Sequence, residues 1–131
     1  MKSCRESGAT ERSLVSVVDD DESVRESLPD LLREFGFAAQ AFSSAEDFLV
    51  SESVAKTKCL IADIAMPGMS GLDLQRELKR CGREIPTIFV TAHKDEAFRA
   101  RAFEQGAVKF LYKPFSDTAL LEALNAAIRV S

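Results

Sequence analysis

Five polar side chains in this sequence follow directly on short apolar runs, and their types suit phosphoryl chemistry. Asp19 and Asp20 come after Val17-Val18, Asp63 after Ala62, Thr91 after Val90 and Lys113 after Tyr112. Two carboxylates ~4 Å apart repel by about 4 kcal/mol at an effective dielectric near 20. Three gathered acids therefore stay ionised only beside cations, or else their pKa values rise. The Lys113 ammonium and one divalent ion together balance three negative charges. Carboxylate, carbonyl and water oxygens are hard ligands, which favours Mg²⁺. In such a site the metal and the lysine neutralise the phosphoryl oxygens while a carboxylate attacks in line. Thr91 can then donate to a phosphoryl oxygen, so the protein's work is positioning.

The elements that must place these residues alternate along the chain. Strand-like runs are 14–18, 38–42, 58–62, 87–90 and 107–112, and helical patterns cover 22–35, 45–50, 72–80, 95–105 and 117–129. Gly36 and Gly106 stand where a left-handed residue closes a helix, and Ser43 with Glu46 has capping-box spacing. Ser116 precedes a helix whose Leu120, Leu121, Leu124 and Ile128 make one apolar face. Pro29 falls inside the first helix, where it should remove a hydrogen bond and kink the chain. The alternation predicts an α/β fold, a parallel sheet covered on both faces. In such sheets ligands bind beyond the carboxyl ends of the strands, which is where the five polar residues lie.

Bulk properties exclude other classes. A chain of 131 residues fits one domain, read as a flexible polar tail over 1–13 and a folded unit over 14–131. The net charge of −4 argues against unaided nucleic-acid binding. No apolar run approaches the ~20 residues of a membrane span, and the N-terminus lacks the apolar core of a secretion signal. No membrane association is expected, and a cytoplasmic location is the default. Three cysteines without a C-x-x-C pair make neither a zinc site nor a disulfide framework, and Cys59 reads as a small buried thiol.

The segments SVVDDDE, LIADIAMPGMSGLDL, IFVTAHKD and FLYKPF together resemble the motif set of two-component response-regulator receivers. The match runs from Leu14 to Ile128, and S-A-E-D-F-L after the second strand is most similar to the receivers of FixJ-like transcriptional regulators. The resemblance implies a doubly wound (βα)5 fold, flavodoxin-like or CheY-like, a three-layer sandwich with parallel strands in the order 2-1-3-4-5. It implies that Asp63 accepts a phosphoryl group from a sensor histidine kinase. Asp20, Asp63 and the Ala65 carbonyl would hold Mg²⁺, with Asp19 acting through water. Lys113 would bridge to Asp63 and the phosphoryl group, next to a cis peptide before Pro114. Thr91 and Phe110 would form the switch; Phe110 has the aromatic volume of the tyrosine common there but no hydroxyl. The resemblance also allows a homodimer on phosphorylation, and DNA contact only through an output domain outside this chain.

Plainer roles stand beside these. An Asp-Asp-Asp run often starts a helix, with acids near the positive end of its dipole. Lys113 could serve a turn, Thr91 could cap a helix, and Phe110 could fill a strand. Gly68 and Gly71 lack the spacing of a phosphate-binding loop and are read as shaping the loop after Asp63. His93, the sole histidine, is either a solvated surface group or, with Ala65, a determinant of autodephosphorylation. Three rival functions are weighed. A phosphohydrolase with an aspartate nucleophile wants an acid two residues after Asp63, where Ala65 stands, and a flavodoxin-like carrier wants a phosphate loop where three acids stand. A phosphorylation-independent interaction domain would not need the acid set. A receiver that acts alone on a protein partner also remains open, as an alternative to one that controls transcription through an output domain.

Overall fold

The computed structural model describes residues 12–92 and 96–129, so the expectations for residues 1–11 and for His93 lie outside the described residues. Among the described residues the strands are β1 (Leu14–Val18), β2 (Ala38–Phe42), β3 (Thr57–Asp63), β4 (Thr87–Thr91) and β5 (Lys109–Tyr112). They alternate with helices α1 (Glu22–Glu34), α2 (Ala45–Leu49), α3 (Gly71–Arg80), α4 (Glu96–Glu104) and α5 (Asp117–Arg129). All strand pairs are parallel and the order is β2-β1-β3-β4-β5, the doubly wound arrangement anticipated above.

Strand residues alternate between two cores, as a period of two requires. Val15, Val17, Cys59, Ile61, Ile88 and Val90 face one side, packed with Leu28 and Leu32 of α1 and Leu120 and Leu124 of α5. Val18, Leu60, Ala62 and Phe89 face the other, packed with Phe48 of α2, Leu74 and Leu78 of α3 and Ala102 of α4. The central strands are thus covered on both faces, which explains their nearly unbroken apolar sequence. Cys59 lies fully buried among them, and burial pushes its thiol pKa up to about 12, leaving it inert.

Several boundaries differ from the sequence reading. β3 extends through Asp63, which pairs with Val90, so this acid occupies the last strand position and not the loop. β5 starts at Lys109, because the Ala107 N–H closes α4 on the Ala102 carbonyl at 3.0 Å. A 3₁₀ turn at Glu52–Lys56, not anticipated, leads into β3. The capping box expected at Ser43 and Glu46 does not form. Ala45 and Phe48 are both buried one turn apart, which sets the phase of α2, and Ser44 becomes its N-cap, accepting from Asp47 N at 3.1 Å. The expected Ser116 cap is present, with Oγ accepting from Ala119 N at 3.0 Å. α1 continues without interruption through Pro29, whose ring is buried.

α3 begins hard against the end of β3. Its N-cap is a full capping box, Ser70 with Asp73, and Gly71 N donates to the Ile64 carbonyl at 3.2 Å. A Cβ on Gly71 would stand 2.5 Å from the Asp63 carbonyl oxygen, well inside contact distance. Close approach, not an unusual φ, is what demands glycine here. Gly71→Ala is therefore expected to destabilise the fold by about 1–3 kcal/mol through backbone displacement. Urea denaturation against the parent chain measures this; an unchanged midpoint would contradict the packing described.

Candidate functional site

The parallel register sets the strand ends of β1, β3, β4 and β5 side by side. Asp19 N donates to the Phe42 carbonyl at 3.1 Å, Ile64 N to Val90 at 3.0 Å and Lys113 N to Thr91 at 2.8 Å. These bonds extend the ladder past the strand ends, where the Asp19, Asp63 and Lys113 side chains meet. Asp19, Asp20 and Asp63 present carboxylate oxygens that all lie within 4.8 Å of one another. Lys113 Nζ bridges two of them, 2.8 Å from Asp19 Oδ2 and 3.0 Å from Asp63 Oδ2. Thr91, fully buried, occupies the final position of β4 on the same sheet edge.

The three consecutive aspartates have three different environments. Asp19 is fully buried, and its Oδ1 accepts from Asp21 N at 3.0 Å. Asp20 is exposed at the rim. Asp21 is the N-cap of α1, its Oδ1 accepting from Ser23 N at 2.9 Å. The Ser23 side-chain hydroxyl, more than any other group, lowers the Asp21 pKa. The helix-start reading of an acidic run therefore holds for Asp21 alone.

Electrostatics here follow from burial. Asp63 is only 6 % exposed, and desolvation pushes its pKa up from 3.8 to about 6. The hydrogen bond from Lys113 works against that rise, and the Asp19 charge adds to it. Burial pulls the Lys113 pKa down, but its attraction to the Asp19 and Asp63 carboxylates outweighs this and the net shift is upward. Lys113 is thus a firmly charged cation shared by two acids. Asp19 Oδ2 meets it as an ion pair but off the line of a hydrogen bond, so this buried atom retains acceptor capacity. Acceptor oxygens in excess of the available positive charge form a hard donor set that fits a divalent cation.

Remaining residues take their places around this centre. Ala65 N donates to Asp63 Oδ1 at 3.0 Å, which turns the following loop back over the carboxylate. The Lys113–Pro114 peptide is cis. Phe110 is half-buried on the α3–α4 side of the sheet, its ring edge-on to Tyr112 at 5.3 Å between centroids. Two contacts escaped the sequence reading. Arg25 Nη1 donates to the Asp19 carbonyl at 3.1 Å, and Glu46 Oε2 accepts from Met69 N at 3.3 Å. Arg25 follows Asp19 by six residues, under two helical turns, and that spacing was the one available signal. Glu46 lies 23 residues from its partner and gave none.

No helix among the described residues is long and apolar enough to cross a membrane. Residues 15–125 match the model of the response regulator receiver domain family. The response regulator protein TodT of Pseudomonas putida is 43% identical over 119 residues, covering 91% of this chain and 52% of TodT. Nodulation protein W of Bradyrhizobium diazoefficiens is 47% identical over 119 residues, again covering 91% of this chain and 52% of the relative. This chain therefore spans about half the length of those relatives. The crystal structure of FixJ-N superposes with a TM-score of 0.82 at 39% identity, covering 91% of this chain and 95% of that one. Motif order, sheet topology and these likenesses agree: the chain belongs to the response regulator receiver domains, with FixJ among its relatives.

Proposed function

We propose that this receiver takes a phosphoryl group onto Asp63 from the phosphohistidine of a sensor kinase, and that the modification switches its conformation. The observation that carries the reading is the Lys113 ammonium seated between Asp19 and Asp63, with Asp20 alongside. A carboxylate oxygen of Asp63 attacks phosphorus, the O–P bond forms as the P–N bond breaks, and the departing imidazole keeps its electron pair. Lys113 and Thr91 then hold phosphoryl oxygens, and Lys113 loses one carboxylate partner as Asp63 becomes an acyl phosphate, a mixed anhydride. Asp20, Asp63 and the Ala65 carbonyl would hold Mg²⁺, with Asp19 acting through water. Bound there, the ion offsets carboxylate repulsion and the charge of the arriving phosphoryl group.

In this reading Thr91 and Phe110 carry the switch toward the surface of α4, β5 and α5, biasing a two-state equilibrium. The response would be passed to an output module that acts on transcription, as the name of the transcriptional regulatory protein FixJ says of that relative. A protein partner or a second copy of the chain is the alternative recipient. His93 and Ala65 are assigned to setting how long the phosphoryl group survives. Substituting each and timing phosphoryl loss tests this, with altered lifetimes expected and unaltered ones removing the assignment.

Intact mass spectrometry after treatment with acetyl phosphate and Mg²⁺ tests the chemistry. The parent chain should gain roughly 80 Da, the mass of one phosphoryl group. Asp63→Asn should gain nothing, and a chelator should abolish the gain in the parent. Equal labelling of the Asn variant would defeat the proposal.

A pH dependence follows for the metal-free chain. Asp63 in the folded state stays protonated up to about pH 6, whereas its ordinary value is 3.8. The folded chain thus holds a proton that the unfolded one has released, and stability falls as pH rises through that window. Asp63→Asn removes this effect and should raise metal-free stability at pH 7.5 by on the order of 2 kcal/mol. The advantage should shrink toward zero below about pH 4. Denaturation in chelator at both pH values provides the check; an Asn variant less stable than the parent at pH 7.5 would contradict it.

A further inference from the structure

Glu46 has the position of a helix-capping acid but does not cap. Ser44 and Asp47 perform that task for α2, with Asp47 N donating to Ser44 Oγ at 3.1 Å and Ser43 Oγ donating to Asp47 Oδ2 at 3.3 Å. The Glu46 carboxylate reaches instead across to the loop between β3 and α3, accepting from Met69 N at 3.3 Å. It also lies against Gly68, where an added Cβ would come within 3.1 Å of Oε2. Gly68 has φ +74°, so it combines a left-handed turn with room for the carboxylate.

This loop begins at Ile64 and contains Ala65. Its near end is fastened by Ala65 N on Asp63 Oδ1 at 3.0 Å. Its closing end is fastened by Gly71 N on Ile64 O at 3.2 Å and by the Ser70–Asp73 capping box. Between Ala65 and Ser70, Glu46 supplies a side-chain contact from another element to the loop backbone. We propose that Glu46 is a positioning residue for the phosphorylation site: by holding the Met69 amide, it fixes the loop that must present the Ala65 carbonyl to a divalent cation. The assignment rests on reading the acidic pocket as a cation site. The group acts through the loop and does not touch the reacting atoms. Such supporting contacts order a metal site before the ion arrives.

The test uses Glu46→Ala, Glu46→Gln and Ser44→Ala. The last removes the α2 cap without touching the loop, so it controls for simple loosening of the helix. In chelator, amide exchange at Met69 should quicken about threefold to tenfold in Glu46→Ala, the loss of one modest hydrogen bond. It should stay within about twofold of the parent in Glu46→Gln, which keeps an acceptor oxygen, and in Ser44→Ala. Mg²⁺ titration by calorimetry should give a Kd raised about threefold to tenfold in Glu46→Ala, with the other two close to the parent. Unchanged Met69 exchange in Glu46→Ala would overturn the proposal, as would a Gln variant as impaired as the Ala variant or a Ser44→Ala variant that matches both effects. If the parent chain itself failed to bind Mg²⁺, the cation-site reading would fall, and with it the assigned role. The metal-free exchange data would then still report whether Glu46 holds the loop.

Discussion

Everything at the carboxyl edge of the sheet depends on one ammonium placed between two buried acids. Without Lys113, Asp19 and Asp63 would confront each other in a region that water scarcely reaches, and repulsion between close carboxylates reaches several kcal/mol. The lysine offsets only part of the cost, since burial first and the Asp19 charge second still hold the Asp63 pKa up at about 6. The fold therefore maintains a shortage of positive charge around two buried acids. Such a shortage is costly for stability and useful for chemistry, because any group that brings positive charge or removes the Asp63 charge is stabilised there. Protonation of Asp63 and the arrival of a cation act on the same imbalance.

The sheet makes that arrangement possible by a simple rule of register. β1 and β3 end their apolar stretches level with each other, Val18 beside Ala62, while β4 and β5 run one and two residues further before Thr91 and Lys113. Core and site are consequently not separable designs. Val17, Ile61 and Val90 hold the sheet on one face, and Val18, Ala62 and Phe89 on the other. A slip of one residue in any strand would turn each of these faces inside out and withdraw its polar terminus from the cluster. Gly71 adds a further constraint, since α3 can start where it does only because nothing projects from that residue toward Asp63.

The sequence was most informative where one strand's pattern decided the matter. Apolar runs ending in Asp19, Asp63, Thr91 and Lys113 were enough to bring out a parallel α/β sheet and the edge on which these residues meet, while the doubly wound strand order came from the likeness to receivers. It was least informative where phase or a distant partner decided. Ser43 and Ser44 are equally good caps by type, and only the burial of Ala45 and Phe48 selects the second. Asp19, Asp20 and Asp21 are identical letters, and only the geometry of the turn separates a buried ion-pair member, a rim carboxylate and a helix cap. The extent of β3 was underestimated because aspartate is a poor strand former, yet pairing with Val90 retains Asp63 in the ladder. Contacts such as Glu46 with Met69 depend on two segments that neither composition nor periodicity relates.

The edge-on pair of Phe110 and Tyr112 has an optical consequence. The chain contains one tyrosine and no tryptophan, so its near-ultraviolet emission comes from a single phenol. That phenol touches the aromatic ring of Phe110 and extends toward Glu96 at the start of α4, 3.5 Å away. A reorientation of Phe110 or a displacement of α4 changes the surroundings of the chain's only fluorophore of this kind. This chain thus carries its own spectroscopic gauge of strand–helix rearrangement, a single phenol with no label to add.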